Sequence, residues 1–181
     1  MPRYAAFLRA INVGGRRVTN DELRACVATL GFDDVATFRA SGNVIFGDPA
    51  GQSIGVLGRR LEECLGDSLG YAVPVFVREA RQMRAIAGHQ PFDAETVRAA
   101  GGRLQVLLMT SAPKAAARKA ALALATDGDR LATRGSELYW LPSGGMMDSL
   151  LDLKALEQII GMTTMRTKGT MDLIAAKHFA S

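Results

Sequence analysis

The sequence has few of the residues that build metal centres and disulfide frameworks. Among its 181 residues are two cysteines, Cys26 and Cys64, and two histidines, His89 and His178. Neither histidine lies at metal-ligand spacing from a cysteine or from the other histidine, so we expect no metal site. Both cysteines lie in segments with helical spacing of apolar residues, which favours buried free thiols over a disulfide or a reactive nucleophile.

Long apolar runs and charged tails are also lacking. No stretch approaches the roughly 18 apolar residues of a membrane-spanning helix, and the N-terminal segment lacks the parts of a secretion signal. We therefore expect a cytoplasmic protein with no membrane partner. The net charge is +4 and the pI about 9.4. This permits an anionic partner, but the basic residues are spread evenly, without the basic arm typical of many nucleic-acid-binding proteins.

Recognised nucleotide-binding and catalytic motifs are absent from the sequence. It contains no Walker loop, no dinucleotide-binding glycine pattern and no serine-hydrolase, zinc-protease or kinase signature. It therefore indicates no catalytic residue and no cofactor, and it leaves open whether the protein is an enzyme. Aromatic residues make up only 6% of the chain, which weakens the case for base stacking on a sheet surface.

The order of elements in the first half is that of a ferredoxin-like unit. Thr19 and Glu22 form a capping-box pattern that marks the start of the first helix. Pro74 cannot donate to a sheet ladder, so we expect the fourth strand at a sheet edge. The predicted elements are a strand over 4–13, a helix from Thr19 to Gly31, two strands within 35–46, a helix over 53–68 and a strand over 71–77, which together give βαββαβ.

Much of this order recurs in the second half. The predicted elements there are a strand over 104–109, a helix opened by Ser111 and Pro113, a hairpin that turns near Gly135, a helix over 149–160 and a final helix over 169–177 in place of a fourth strand. We therefore predict an α+β fold with a ferredoxin-like βαββαβ unit in residues 1–88, a connecting loop over 89–103, and a related βαββα unit in residues 104–181.

Two polar motifs, residues 12–15 and residues 41–43, are expected to meet at one end of the first sheet. Because strands one and two of this topology run the same way, the end of strand one and the corner between strands two and three become neighbours. Glycine-rich backbone, a helix N-terminus with unpaired N–H groups, and guanidinium groups are typical of anion sites. For either motif alone, an ordinary turn is the simpler interpretation. The candidate ligand-binding residues are Arg9, Asn12, Gly14, Gly15, Arg39, Ser41, Gly42 and Asn43.

Arg9 is unusual among these candidates because it falls inside the predicted first strand. It shares a face with Phe7 and Ile11, and a guanidinium on a covered face needs a carboxylate or several carbonyl oxygens. A structural salt bridge is therefore the alternative to a ligand contact.

Three functions stay open on these observations. The leading hypothesis is a protein that binds a small anionic ligand at the end of the first sheet. The second is nucleic-acid binding on the ferredoxin-like sheet, where the central strands offer the aromatic residues Phe7 and Phe46. The third is an oligomeric structural or interaction protein that pairs at the Pro74 edge or through the second sheet. The sequence does not predict the oligomeric state.

The motifs FLRAINVGG, residues 7–15, and SGNVIF, residues 41–46, support a further comparison. They resemble the bacterial domain-of-unknown-function family 1697, whose hallmarks are LRGINVGG and SGNVVF. The resemblance implies two α+β subdomains with ferredoxin-like units and no established activity. It also adds Arg166 as a candidate site residue. The chain departs from the family at Leu150, where a lysine is usual, and at Thr167 and Lys168, where asparagine and tryptophan are usual.

Overall fold

The computed structural model describes residues 1–39, 42–101 and 103–180. The chain divides into two compact units, one formed by Met1–Ala85 with Ile174–Ser181 and the other by Ile86–Leu173. Each unit contains a four-stranded sheet whose neighbouring strands are all antiparallel. With seven α-helices among the described residues, the protein is a mixed α+β structure.

The first unit has the strand order β2-β3-β1-β4. The prediction that the fourth strand lies at a sheet edge is therefore confirmed, and Pro74 immediately precedes it. The elements are β1 (Arg3–Leu8), α1 (Asn20–Ala28), β2 (Asp33–Thr37), β3 (Asn43–Gly47), α2 (Ile54–Leu69), β4 (Val75–Glu79) and the start of α3 (Ala80–Gly88).

The core of the first unit lies between one face of the sheet and the two helices α1 and α2. Leu57, Leu61 and Leu65 recur every four residues on α2 and pack against this face, together with residues of α1. Each buried leucine of this kind stabilises the fold by about 1.5–3 kcal/mol. Strand β1 is covered on its other face as well, since Ala5 and Phe7 are 1% and 0% exposed, as the mostly apolar run predicts.

The first strand ends at Leu8, and its predicted extension to residue 13 is wrong. The backbone leaves the strand at Ala10, whose φ is 56°, although the apolar pattern continues to Ile11. Ile11 is buried because the loop folds it back into the core. Arg9 therefore lies in this loop and not on a strand face beside Phe7, so the reason for expecting a buried salt bridge there no longer holds.

The second unit repeats the order with β6-β7-β5-β8. The hairpin turns at Gly135, as predicted, with a φ of 59° at that residue. The elements are α4 (Ala94–Ala100), β5 (Gln105–Met109), α5 (Ala115–Leu122), β6 (Asp129–Arg134), β7 (Glu137–Pro142), a short 3₁₀ helix (Met146–Asp148), α6 (Leu153–Ile160), β8 (Thr163–Thr167) and α7 (Lys168–His178), the last of which ends in the first unit.

Strand β8 shows that the prediction of a second unit without a fourth strand is wrong. The segment TTMRT lacks apolar alternation, so its sequence does not indicate a strand. It nevertheless pairs along the whole of β5, from Gln105 opposite Thr167 to Met109 opposite Thr163. Threonine is β-branched and suits this position, but the pairing partner, which is distant in sequence, decides the structure.

One additional helix and one helix start also differ from prediction. The stretch predicted as a loop over 89–103 contains α4, whose start is capped by Asp93, with its carboxylate accepting from Thr96 N at 2.8 Å. Helix α6 begins at Leu153 and not at Ser149, because Asp152 is its N-cap and its carboxylate accepts from Ala155 N at 2.8 Å. In the part of the chain that the structure describes, no helix has the length and apolar character needed to cross a bilayer.

Candidate functional site

The end of β1 and the corner before β3 are in direct contact. Leu8 N–H donates to the carbonyl oxygen of Gly42 at 2.8 Å, and Phe7 is paired with Asn43 in the sheet register. A Cβ atom on Gly42 would lie 2.9 Å from Ile11 Cγ2, so the corner also packs closely against the loop that follows β1. The end of β1, from which the loop with Gly14 and Gly15 starts, thus lies beside the corner at Gly42, as the topology predicts.

The loop from Arg9 to Val18 follows a path that several contacts define. Asn12 Oδ1 accepts a hydrogen bond from Val18 N at 2.9 Å, which closes the loop on itself. Tyr71 on the segment before β4 donates to the carbonyl oxygen of Ile11 at 3.4 Å. The guanidinium carbon of Arg16 lies 4.0 Å from the centre of the same tyrosine ring. The loop is therefore held at its middle and at both ends.

The glycine pair at the tip of this loop faces open space. Gly14 and Gly15 have φ values of 62° and 82°, which L-residues rarely adopt, and no atom lies within 4 Å of the position where either Cβ would stand. Backbone N–H groups in turns of this kind can converge on an anion. The pair is thus sterically open to a ligand.

The start of α1 has side chains of its own to satisfy its N–H groups. Glu22 N–H donates to Thr19 Oγ1 at 3.2 Å, and Glu22 Oε2 accepts from Thr19 N at 2.7 Å. The backbone N–H and hydroxyl of Thr19 hold the pKa of the Glu22 carboxyl below its ordinary value. The predicted capping box is therefore confirmed, and the Glu22 N–H is engaged within it. The carboxylates of Asp21 and Glu22 would also oppose a bound anion at this helix end.

Cationic side chains gather around Phe38 at the corner. The guanidinium of exposed Arg39 lies 5.5 Å from the centre of the Phe38 ring, and Lys177 Nζ lies 5.9 Å from it. The ring of His178 stands edge-on to Phe38, and its pKa is lowered by burial and by Lys177 and Arg3, so it adds little charge at neutral pH. Nothing in the local sequence connects Lys177 with residue 38, so the sequence did not predict Lys177 as a member of this cluster.

Arg9 and Asn43 have structural contacts at the sheet end. Arg9 is half-buried, and its backbone N–H donates to the carbonyl oxygen of Pro74 at 3.0 Å. Asn43 is 1% exposed, and its Nδ2 donates to the carbonyl oxygen of Phe38 at 2.8 Å. The Asn43 amide therefore shapes the corner from inside. Ser41, also predicted as a site residue, lies outside the described residues.

Arg166 lies in the second unit, on β8. Its Nη1 donates to Thr164 Oγ1 at 3.0 Å and to the carbonyl oxygen of Met165 at 2.8 Å. Burial lowers the pKa of this guanidinium to about 10. It is paired with Val106 across the second sheet.

The positions where the chain departs from the family pattern have different surroundings. Leu150 is 85% exposed. Thr167 Oγ1 accepts from Thr170 N at 3.2 Å at the start of α7. Lys168 pairs with Asp172 and also donates to the carbonyl oxygen of Ala87 at 2.9 Å. Thr167 and Lys168 thus support the local structure of the second unit.

The two cysteines form a disulfide, so the prediction of two free thiols is wrong. Cys26 on α1 and Cys64 on α2 have a Cα–Cα distance of 6.6 Å. Helical spacing places each cysteine on the inner side of its own helix, but it does not show that the two helices bring them together. Within the described ranges, no group of three or more His, Cys, Asp or Glu side chains could hold a metal ion.

The structure thus defines an α+β protein with two four-stranded antiparallel sheets and no assigned chemistry. A family model described as "Protein of unknown function (DUF1697)" matches residues 1–139, and the chain belongs to this family. No curated protein matches the chain. A solved structure of a conserved bacterial protein from Streptococcus pneumoniae is similar in fold, with a TM-score of 0.73, 22% identity and 97% of each chain covered.

Proposed function

We propose that this protein binds a small anionic ligand at the end of its first sheet. We call this region the first sheet end and define it as residues 9–17 with Phe38, Arg39, Gly42 and Asn43. The observation that carries the proposal is the placement of the arginine- and glycine-containing loop after β1 beside the arginine-bearing corner before β3, which the hydrogen bond from Leu8 N to Gly42 O brings together. We further propose that both units are ferredoxin-like, because each has the same strand order.

Charge and backbone donors support an anionic ligand. The loop contributes Arg9, Arg16 and Arg17, and the corner contributes Arg39, beside which Lys177 flanks the same aromatic ring. Guanidinium groups suit carboxylates and phosphates because they donate two parallel hydrogen bonds. A ligand of this kind would use the guanidiniums for charge and the glycine N–H groups as further donors.

The remaining candidates would position these groups. Asn12 closes the loop through Val18, and Asn43 closes the corner through Phe38. Arg16 stacks on Tyr71 and holds the loop. We assign ligand contact to Arg9, Arg17 and Arg39. Arg166 belongs to the second unit, and we give it no part in this site.

Thermal melting with inorganic phosphate and with pyrophosphate tests the proposal. A ligand that binds only the folded state stabilises it by about 2.7 kcal/mol at a concentration one hundred times its Kd, a shift of several degrees for a protein of this size. We expect such a shift above a sodium chloride control of matched ionic strength. The double variant Arg9→Ala, Arg39→Ala should lose most of it.

A matched control is available in the second unit. Arg134 is an exposed arginine just before the turn between β6 and β7. Its position corresponds to that of Arg39, which is also exposed and precedes the corner before β3. The variant Arg134→Ala should keep the full phosphate effect. The proposal fails if phosphate and pyrophosphate give no stabilisation over chloride, or if the double variant responds as the wild type does.

Nucleic-acid binding is the alternative that uses the same charge. Phe7 and Phe46 are both 0% exposed, so the central strands offer no aromatic surface for base stacking. Binding would therefore depend on phosphate contacts at the first sheet end and would weaken steeply with salt. A titration of a labelled oligonucleotide at several salt concentrations separates this alternative from a small ligand.

Other expectations from the sequence stay predictions. Cytoplasmic location and the boundaries at residues 88 and 104 are among them, and so is pairing between chains at the β4 edge or through the second sheet. Analytical ultracentrifugation over a range of concentrations tests the last of these. We assign no catalytic residue to this chain.

A further inference from the structure

A groove in the first unit opens over the paired cysteines. It has a volume of about 590 Å³, within the range of small-molecule sites. Helices α1 and α2 form its walls, and its lining residues include Cys26, Cys64, Arg60, Glu63 and Asp67. This groove does not include any residue of the first sheet end.

The two cysteines that line this groove differ in exposure. Cys26 is 8% exposed, whereas Cys64 is half-buried. An incoming sulfur compound therefore reaches Cys64 more readily than Cys26, since thiol reactivity follows exposure of the sulfur.

The surroundings also suit the reduced state of the pair. Cys64 Sγ lies 3.1 Å from the carbonyl oxygen of Cys26, so a thiol at Cys64 has an acceptor in place. Thr29 Oγ1 lies 3.7 Å from the same sulfur and itself donates to the Cys26 carbonyl at 2.7 Å. A reduced Cys64 would therefore have two polar neighbours within reach of its sulfur.

Charges of both signs line the groove. Arg60 is held in place, because it donates to the carbonyl oxygen of Leu30 at 2.7 Å and lies over the ring of Phe32. Glu63 and Asp67 supply carboxylates. A compound that carries both carboxylate and ammonium groups, as small peptide thiols do, finds a partner for each.

We propose that the Cys26–Cys64 pair is a site of reversible thiol–disulfide exchange with low-molecular-weight peptide thiols and their disulfides. In the oxidising direction, the Cys64 thiolate attacks one sulfur of the small disulfide and releases the first thiol, which takes up a proton. The Cys26 thiolate then attacks Cys64 Sγ and releases the second thiol. Two protein thiols are oxidised to one disulfide, and one small disulfide is reduced to two thiols.

Single cysteine variants and glutathione disulfide test this assignment by intact-protein mass spectrometry. Reduced wild-type protein should form the internal disulfide with only a transient adduct. The variant Cys26→Ser should accumulate a stable adduct of one glutathione at Cys64. The variant Cys64→Ser should form its adduct at least about tenfold more slowly, because Cys26 is the more buried of the two cysteines. The double variant Cys26→Ser, Cys64→Ser sets the background.

Three results would overturn the proposal: equal adduct rates in the two single variants, no adduct on Cys26→Ser, or a wild-type protein that stays reduced with excess glutathione disulfide. Circular dichroism shows whether the variants are folded. If a serine variant is not folded, brief alkylation of reduced wild-type protein followed by peptide mapping decides the matter. Labelling of Cys64 before Cys26 is then the expected result, and equal or reversed labelling would contradict it.

Discussion

The two units of this protein make the same contact at the same place in their sheets, with different loops around it. In the first unit Leu8 N donates to Gly42 O at 2.8 Å, and in the second Met109 N donates to Ser136 O at 2.9 Å. The first connection to a helix runs over residues 9–19 and contains the glycine pair. The second runs over residues 110–114 and contains no glycine.

This difference shows what the fold contributes and what the loop contributes. Both units have the same strand order, so the end of the first strand must meet the hairpin corner in each. The contact alone is therefore no sign of a binding site. What distinguishes the first unit is the long arginine- and glycine-containing loop, and a site there depends on that loop.

Substitution of the glycine at each hairpin corner should give the largest change in unfolding free energy. Gly42 has a φ of 70°, and an added Cβ would lie 2.9 Å from Ile11 Cγ2. The variant Gly42→Ala should lose about 3 kcal/mol of unfolding free energy, from backbone strain and overpacking together. Gly135 also has a positive φ, but a Cβ added there would lie 3.4 Å from Glu137 Oε2. Gly135→Ala should therefore lose only about 1–2 kcal/mol of unfolding free energy. Urea denaturation measures both, and equal losses would show that the first corner is not tightly packed.

Loss of a buried carboxylate in the second unit should give the next largest change in unfolding free energy. Asp129 is 1% exposed and accepts hydrogen bonds from Trp140 Nε1 at 2.7 Å, Ser149 Oγ at 2.6 Å and Thr126 Oγ1 at 2.6 Å. Burial raises its pKa, but the hydrogen bonds from these donors outweigh burial and hold it below the ordinary 3.8. Asp129→Asn should cost about 2 kcal/mol at neutral pH.

The pH dependence of this effect has a definite sign. Because the folded pKa of Asp129 is depressed, its stabilisation is fully present above pH 3.8 and is lost as the pH falls through the folded pKa. The difference in unfolding free energy between wild type and Asp129→Asn should therefore shrink on acidification. The exposed neighbour Asp127 is the control, and Asp127→Asn should change little at any pH. A difference that does not vary with pH would contradict the carboxylate's role.

The starts of the two helices provide a smaller effect. Thr19 caps α1 through Glu22 N, whereas Lys114 at the same place before α5 makes no side-chain capping bond. Thr19→Ala should cost about 1 kcal/mol, and Lys114→Ser should gain up to about 1 kcal/mol. Melting temperatures measure both changes in stability, and we expect a lower value for Thr19→Ala and a higher value for Lys114→Ser. A loss in both would mean that the start of α5 is stabilised in another way.

The stacking of Arg16 on Tyr71 provides the smallest effect. A double-mutant cycle with Arg16→Ala and Tyr71→Ala should give a coupling of about 0.5–1 kcal/mol, as expected for an exposed cation–π contact. Arg17, the next residue, serves as the control and should show no coupling to Tyr71. Coupling of equal size for Arg17 would indicate a general charge effect and not a defined loop.

Much of the first unit could be predicted from its sequence because its signals are local. The capping box at Thr19 and Glu22 and the leucine stripe of α2 depend on residues three or four apart. The second unit was predicted less well, because TTMRT becomes a strand only by pairing with β5. Helix α4 has a local signal in Asp93 and Gly101, an N-cap and a left-handed C-cap, although this stretch was predicted as a loop.

The candidate site shows the same division. The sequence predicts that the glycine loop and the corner are neighbours, since this follows from strand direction. It does not predict that Arg9 leaves the strand, that Asn43 points inward, or that Lys177 lies beside Phe38. These placements depend on where the loop after β1 and the end of α7 pack, and such contacts leave no pattern in a single sequence.

By itself, the sequence determined the element order of the first unit, the positions of its turns and the presence of cationic loops, because spacing, capping and backbone preference act over a few residues. Only the tertiary structure decided the fourth strand of the second unit, the pairing of Cys26 with Cys64 and the burial of individual polar side chains. The physical reason is that these features depend on contacts between segments far apart in the chain, whose free energy arises only once the helices and strands have packed together.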